Sequence, residues 1–213
     1  MKLPNLVIVT GLLLLPRTFA LAGDNAPDQP AIPARTASPP QPGYTPMTQA
    51  GQFHHFVSST FGIESTLRAA GGAAILQATN TPAEWGQGAE GYGKRLADDY
   101  AQHIVRQTLL YGSSDLLGED TRYFLSGRAG FRPRLQYAVE STFLARTHDG
   151  HRRFSYSRIG AVVATAFISR EWQPQSTRGA EHAGLSIVTV FSTEVGFNVA
   201  REFLPRLFHT RRQ

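Results

Sequence analysis

The segment Trp85-Gly86-Gln87-Gly88-Ala89-Glu90-Gly91-Tyr92-Gly93-Lys94-Arg95 has the spacing closest to known phosphate chemistry in this chain. Gly86-x-Gly88-x-x-Gly91 fits a dinucleotide fingerprint, and Gly88 through Gly93-Lys94 fits most of a phosphate loop. Both patterns fail on context. A phosphate loop follows a strand and carries a Ser or Thr after its lysine to hold magnesium. Here Pro82-Ala83-Glu84-Trp85 precedes and Arg95 follows. The dinucleotide fingerprint needs a βαβ unit, and none is readable around it. The expectation is therefore a structural motif made of Trp85, Gly86, Gly88, Gly91, Tyr92, Gly93 and Lys94, a turn feeding a helix. Its glycines permit positive φ or close backbone approach, and the helix-start amides are available to an anion. Neither nucleotide nor cofactor is expected.

Arginine supplies the second chemical signal. Arg122, Arg128, Arg132, Arg134, Arg146, Arg152, Arg153 and Arg158 face only Glu140 and Asp149 over the same stretch, and Phe124, Phe131, Tyr137, Phe143, Phe154 and Tyr156 are interleaved with them. Guanidinium forks match phosphate and carboxylate, and aromatic bodies with cationic heads suit a membrane–water interface. These eight arginines are read as an anion- or partner-binding surface. The competing reading is a solvated basic face whose arginines pair with acidic groups of the N-terminal half, including Glu119 and Asp120.

Other candidates carry less. His148-x-x-His151 beside Asp149 has ligand-like spacing, but without a further ligand set it reads as a polar turn, and no metal is expected. His54 and His55 read as surface or cap residues. Neither Gly-x-Ser-x-Gly nor HExxH occurs, and Glu84 and Glu90 are too weakly placed to form an acid/base pair. The chain has no cysteine, which removes disulfides, thiolate metal sites and cysteine nucleophiles. A non-catalytic role is expected.

The elements that position these residues read as mainly helical. Phe53, Phe56, Val57 and Phe61 fall at helical spacing before Gly62, and a second helix runs from Glu64 to about Ala78, stopped by Asn80-Thr81-Pro82. In the third, Tyr92, Leu96, Tyr100 and Ile104 step by four on one face, read as core. Lys94, Arg95, Asp98, Gln102 and Arg106 occupy the other face, with Lys94–Asp98 and Arg95–Asp99 as i,i+4 pairs. Further helices are placed at Leu135 to Arg146, Ser157 to Trp172 and Ala180 to Leu204. Asp149-Gly150 between short apolar arms predicts a β-hairpin near 142–157. The fold class is all-α, five or six helices in an irregular bundle, with that one hairpin possible within it. Small residues recur every four positions at Ala70, Ala74 and Ala78, at Gly160 and Ala164, and at Ser192, Gly196 and Ala200, a pattern that lets helices approach closely. Ala183 to Ala200 is low in charge, but Glu194 near its middle favours a buried or interfacial helix over a spanning one.

Domain organisation and location are read from the N-terminus. Lys2, the apolar run Leu6 to Leu15 and Ala20-Leu21-Ala22 form a secretory signal over 1–22, its run too short against the about 20 residues that span a bilayer. Residues 23–47 hold seven prolines in 25 positions and read as a disordered tether, leaving a helical domain over 48–213. From residue 23 to 121 there are five basic and ten acidic residues; from 122 to 213 there are fourteen and six, so the C-terminal half is the basic one. With export to the periplasm or outer envelope, the expected partner is an anionic membrane surface or an envelope protein, and nucleic acid is disfavoured.

The chain carries Pro82-x-Glu84-Trp85-Gly86-Gln87-Gly88-x-x-Gly91-Tyr92-Gly93-Lys94-Arg95, Glu119-Asp120-Thr121-Arg122-Tyr123-Phe124, Gly130-Phe131-x-Pro133-Arg134-Leu135 and Phe154-Ser155-Tyr156-Ser157-Arg158. In these four motifs it resembles a family of uncharacterised exported bacterial proteins. The resemblance spans roughly Asn80 to Trp172 and implies no activity, cofactor or catalytic residue. The resulting expectation is a non-catalytic envelope protein, peripherally membrane-associated or partner-binding through its arginine–aromatic surface. A soluble periplasmic enzyme or small-ligand binder with its site near the Trp85–Gly93 loop, and an integral membrane protein, remain as alternatives.

Overall fold

The computed structural model describes residues 44–204. The segment read as a signal, most of the segment read as a tether and residues 205–213 lie outside them. Six helices and a small sheet make up the described chain: α1 (Gln49–Phe61), α2 (Ile63–Ala78), α3 (Gly88–Leu117), β1 (Glu119–Asp120), α4 (Phe131–Phe143), β2 (Leu144–Thr147), β3 (Arg152–Phe154), α5 (Tyr156–Ile168) and α6 (Ala180–Phe203). This is the mainly helical bundle expected, with the hairpin in place. Helix starts follow capping chemistry. Thr48 accepts from the Gly51 amide at 3.2 Å ahead of α1, and Ser155 accepts from the Arg158 amide at 3.3 Å ahead of α5. Gly118, left-handed at φ +62°, ends α3.

Helix α3 is the spine. It packs on α1, α2 and α5; α5 packs in turn on α6, and α6 on α4. Between α2 and α6 the link is through side chains. Arg68 of α2 reaches Glu194 of α6 at 3.3 Å and lies 3.5 Å from the centre of the Phe197 ring, and Arg201 of α6 reaches Glu64 of α2 at 3.0 Å. The sheet is antiparallel in the order β1-β2-β3, with Asp120 opposite Arg146 and Arg146 opposite Arg152. Its turn rests on Gly150 at φ +86°. Tyr44, at the end of the segment read as tether, donates to Asp120 at 3.1 Å and meets the Phe124 ring edge-on.

Polarity is distributed contrary to the ordinary rule. Among the described residues ten apolar side chains are buried and seven of them are alanine, so this interior contains little large apolar surface. The largest fully buried side chains are Arg95, Glu119 and Glu202, while Ile63 is 75% exposed, Ile75 67% and Leu185 62%. The third helix reverses the sequence expectation. Arg95 and Asp98, assigned to its solvent side, are buried, and Tyr92, Leu96, Tyr100 and Ile104 are only half-buried. Periodicity finds two faces of a helix but takes the apolar one to point inward, an assumption this interior breaks. The i,i+4 pairing differs as well, since Lys94 bonds Glu90 at 2.7 Å. The small-residue stripes turn largely outward: Ala74, Ala78, Gly160, Ser192 and Gly196 are exposed.

Candidate functional site

The glycine-rich motif encloses a guanidinium of its own chain. Arg95, fully buried, donates to the carbonyls of Thr81 at 2.8 Å, Pro82 at 2.9 Å and Gly86 at 2.8 Å, and to the Gln77 side chain at 2.6 Å. Gly86 and Gly88 take positive φ, +68° and +81°, as the glycine reading expected. A Cβ at Gly91 would collide with the Gly86 carbonyl. Gln87 bonds back to the Gln77 carbonyl and Asn80, and Glu84 accepts from Ser176. Trp85 is half-buried, Tyr92 donates to the Ala70 carbonyl at 3.2 Å, and Gly93 and Lys94 are exposed. The motif is a joint between α2 and α3, with the Arg95 guanidinium bonded to the carbonyls at its centre.

The eight arginines read as one surface do not form one. Arg158 donates to the carbonyls of Thr121, Ser141 and Thr142 at 2.6 to 2.9 Å. Arg146 is buried, its guanidinium 4.6 Å from the centre of the Phe124 ring. Arg122 forks onto Asp120, and Arg134 grips Glu202 at 2.9 Å. Arg152 lies 4.3 Å from the Tyr137 ring centre, within 3.7 Å of Glu140, and Arg153 lies 3.7 Å from Glu119. Exposed guanidinium remains at Arg128, Arg132 and, partly, Arg153. Only part of the competing reading's pairing is present: Glu119 and Asp120 meet Arg153 and Arg122, while Arg134 and Arg152 take Glu202 and Glu140 of the C-terminal half, and Arg146 and Arg158 are met by a ring and by carbonyls. Two of the quoted motifs meet in this way: the Glu119 carboxylate accepts from the hydroxyls of Ser155 and Ser157 and the amides of Tyr156 and Ser157, capping α5.

The arrangement that sequence reasoning missed is a central chamber of about 400 Å³. All six helices contribute to its wall, together with residues 121–124. Five arginines line it, Arg68, Arg106, Arg122, Arg158 and Arg201, against two carboxylates, Glu64 and Glu194, an excess of three positive charges. It lies away from the Trp85–Gly93 loop, the place anticipated for a ligand pocket; none of that loop's residues line it. His55, read as surface or cap, is part of the wall, as is His103.

Glu194 is the electrostatic centre. Burial alone would raise its pKa, but the guanidiniums of Arg68, Arg106, Arg158 and Arg201 outweigh that effect and hold it below the usual carboxylate range. The mid-helix acid is thus an ionised partner for α2. His103 donates from Nε2 to the Ser59 carbonyl at 3.0 Å and accepts at Nδ1 from Arg106 at 3.3 Å, the tautomer those neighbours require. Burial, then Arg106, lowers its pKa; burial lowers that of His55. Both ring nitrogens of His103 are thus engaged, and Glu194 is ionised against Arg68.

His148 and His151 flank the Asp149–Gly150 turn, with His151 3.9 Å from Asp149. Among the described residues no group of three or more His, Asp or Glu side chains converges to hold a metal ion. No protein-family model, curated protein or solved structure matches the chain.

Proposed function

We propose that this chain is a non-catalytic exported envelope protein that rests on a membrane through the apolar side chains on its outside. The observation that carries the reading is the reversal of polarity. Phe53, Val57 and Phe61 on α1, Ile63, Leu67 and Ile75 on α2, and Leu185 and Val188 on α6 are exposed while charged groups fill the interior. Exposed apolar surface on this scale marks a site of contact with lipid or protein. Lipid is favoured by α6, which is 24 residues long with mean hydropathy 1.3 over its most apolar window, and whose outward side adds Gly184, Ser192 and Gly196 to Leu185 and Val188. Of its four charged residues, Glu194 and Arg201 turn to the chamber, Glu202 is held by Arg134, and Glu181 is exposed in the first turn. Seating at the interface lets that side enter the headgroup boundary while Arg128, Arg132 and Arg153 meet anionic lipid. The N-terminal signal supports delivery to that location.

Fractionation of expressing cells is the test. Recovery in the membrane pellet after a high-salt wash, with release by alkaline carbonate, supports peripheral apolar seating. Recovery in the soluble fraction without salt would contradict it, and retention through carbonate would favour integration. A second reading, a soluble small-ligand binder, is favoured by the chamber itself, whose volume is in the range of ligand sites.

A further inference from the structure

We propose that the central chamber is a binding site for a phosphate-type oxyanion, held between α2, α3, α5 and α6 by guanidinium groups. The charge balance points there. Among the described residues Arg106 and Arg158 have no carboxylate within ion-pair distance. Arg106 donates to His103, and Arg158 donates to three carbonyls. Glu64 and Glu194 are already held by Arg68, and Glu64 also by Arg201. Of the excess of three positive charges on the wall, Asp120, outside it, cancels one through Arg122. Two remain. A phosphate group, at about −1.5 to −2 near neutral pH, matches that number, whereas a single carboxylate leaves one guanidinium uncompensated.

The surroundings fit the same chemistry. The buried Nε of Arg68 has no hydrogen-bond partner. Gln107, Ser58, Ser141 and Asn198 add neutral polar groups to the wall. Planar guanidiniums arriving from separate helices present several donors to the tetrahedral oxygens of one ligand. Burial lowers the pKa of both Arg106 and Arg158, the electrostatic cost that a bound anion removes.

Two sources share this chemistry, a free phosphate compound and the headgroup of a phospholipid. The exposed Ile63 and Leu67 beside Glu64 on α2 offer acyl chains a surface next to the wall. Titration calorimetry and thermal melts in phosphate-free buffer, with inorganic phosphate in one arm and dihexanoyl phosphatidic acid in the other, separate them. The expected result is saturable binding in at least one arm with a rise in Tm. Binding of phosphate identifies a free-anion site; binding of the lipid alone identifies a headgroup site. Arg106→Gln should weaken that binding at least tenfold, yet raise the Tm of the anion-free protein, because Glu64 and Glu194 keep their pairs with Arg68 and Arg201 while a charge that no carboxylate meets within ion-pair distance is removed. A residue with a purely structural role would lower it. No saturable binding in either arm, or wild-type affinity in a folded Arg106→Gln protein, would overturn the assignment. Vesicle binding by the same variant reports on membrane seating separately, since Arg106 lies inside the protein.

Discussion

Arg95 is the residue on which the glycine-rich motif depends. Its guanidinium satisfies carbonyls from Thr81, Pro82 and Gly86 at once. Replacing it with methionine keeps the bulk but leaves the buried Pro82 carbonyl and the part-buried bonds to Thr81 and Gly86 without a donor, at a cost of about 1–3 kcal/mol in urea unfolding. Arg95→Lys should recover little of the loss, because a compact ammonium cannot fork across carbonyls spread over six residues. Asp99 makes the opposite prediction. Burial, with Asp98 beside it, raises its pKa to about 6, from the ordinary aspartate value of 3.8. The folded state therefore binds more protons than the unfolded state between these values, and stability falls as pH rises from about 4 to 6. Asp99→Asn should stabilise the protein by up to about 3 kcal/mol at pH 7.5 and by little at pH 4, read as Tm against pH. The types at the motif were legible as structural, and the positive-φ glycines with them. The role of Arg95 was not, since a cation on a helix is placed in solvent unless its partners, here brought from a neighbouring helix and turn, are known.

At the scale of elements, periodicity located the helices to within a few residues, and the Asp149-Gly150 dipeptide located the hairpin. β1 was invisible, because two residues have no period; what defines it is pairing of Glu119 with Thr147 and Asp120 with Arg146. Gly150 holds φ +86°, and a Cβ there would approach the Tyr44 ring to 3.2 Å. Gly150→Ala should cost about 1–2 kcal/mol, a fall of a few degrees in Tm. The inward and outward sides of α3 and α6 were beyond the sequence, because a polar interior inverts the usual assignment. For α6 this inversion has a direct test. Leu185→Gln with Val188→Gln, both outward, should reduce adsorption to vesicles several-fold while leaving the Tm nearly unchanged, as calorimetry and sedimentation would show.

Over the whole molecule, the chamber has no local signature. Arg68, Arg106, Arg158 and Arg201 each belong to a different helix, α2, α3, α5 and α6, and no spacing rule joins them. The arginine-rich stretch does not form one outward surface, for half of its eight guanidiniums close onto Asp120, Glu119, Glu140 and Glu202 within the fold. Large apolar side chains stand exposed on α1, α2 and α6, so the proposed attachment to lipid should be only partly electrostatic. Glutamate at Arg128, Arg132 and Arg153 together should weaken binding to anionic vesicles without abolishing it. Flotation of the purified protein with liposomes, neutral and anionic, at low salt and at 0.5 M salt, probes this most directly. Flotation with both liposome types, reduced but persistent at high salt, is the predicted result; a protein that stays unbound and monodisperse under all four conditions would contradict the account.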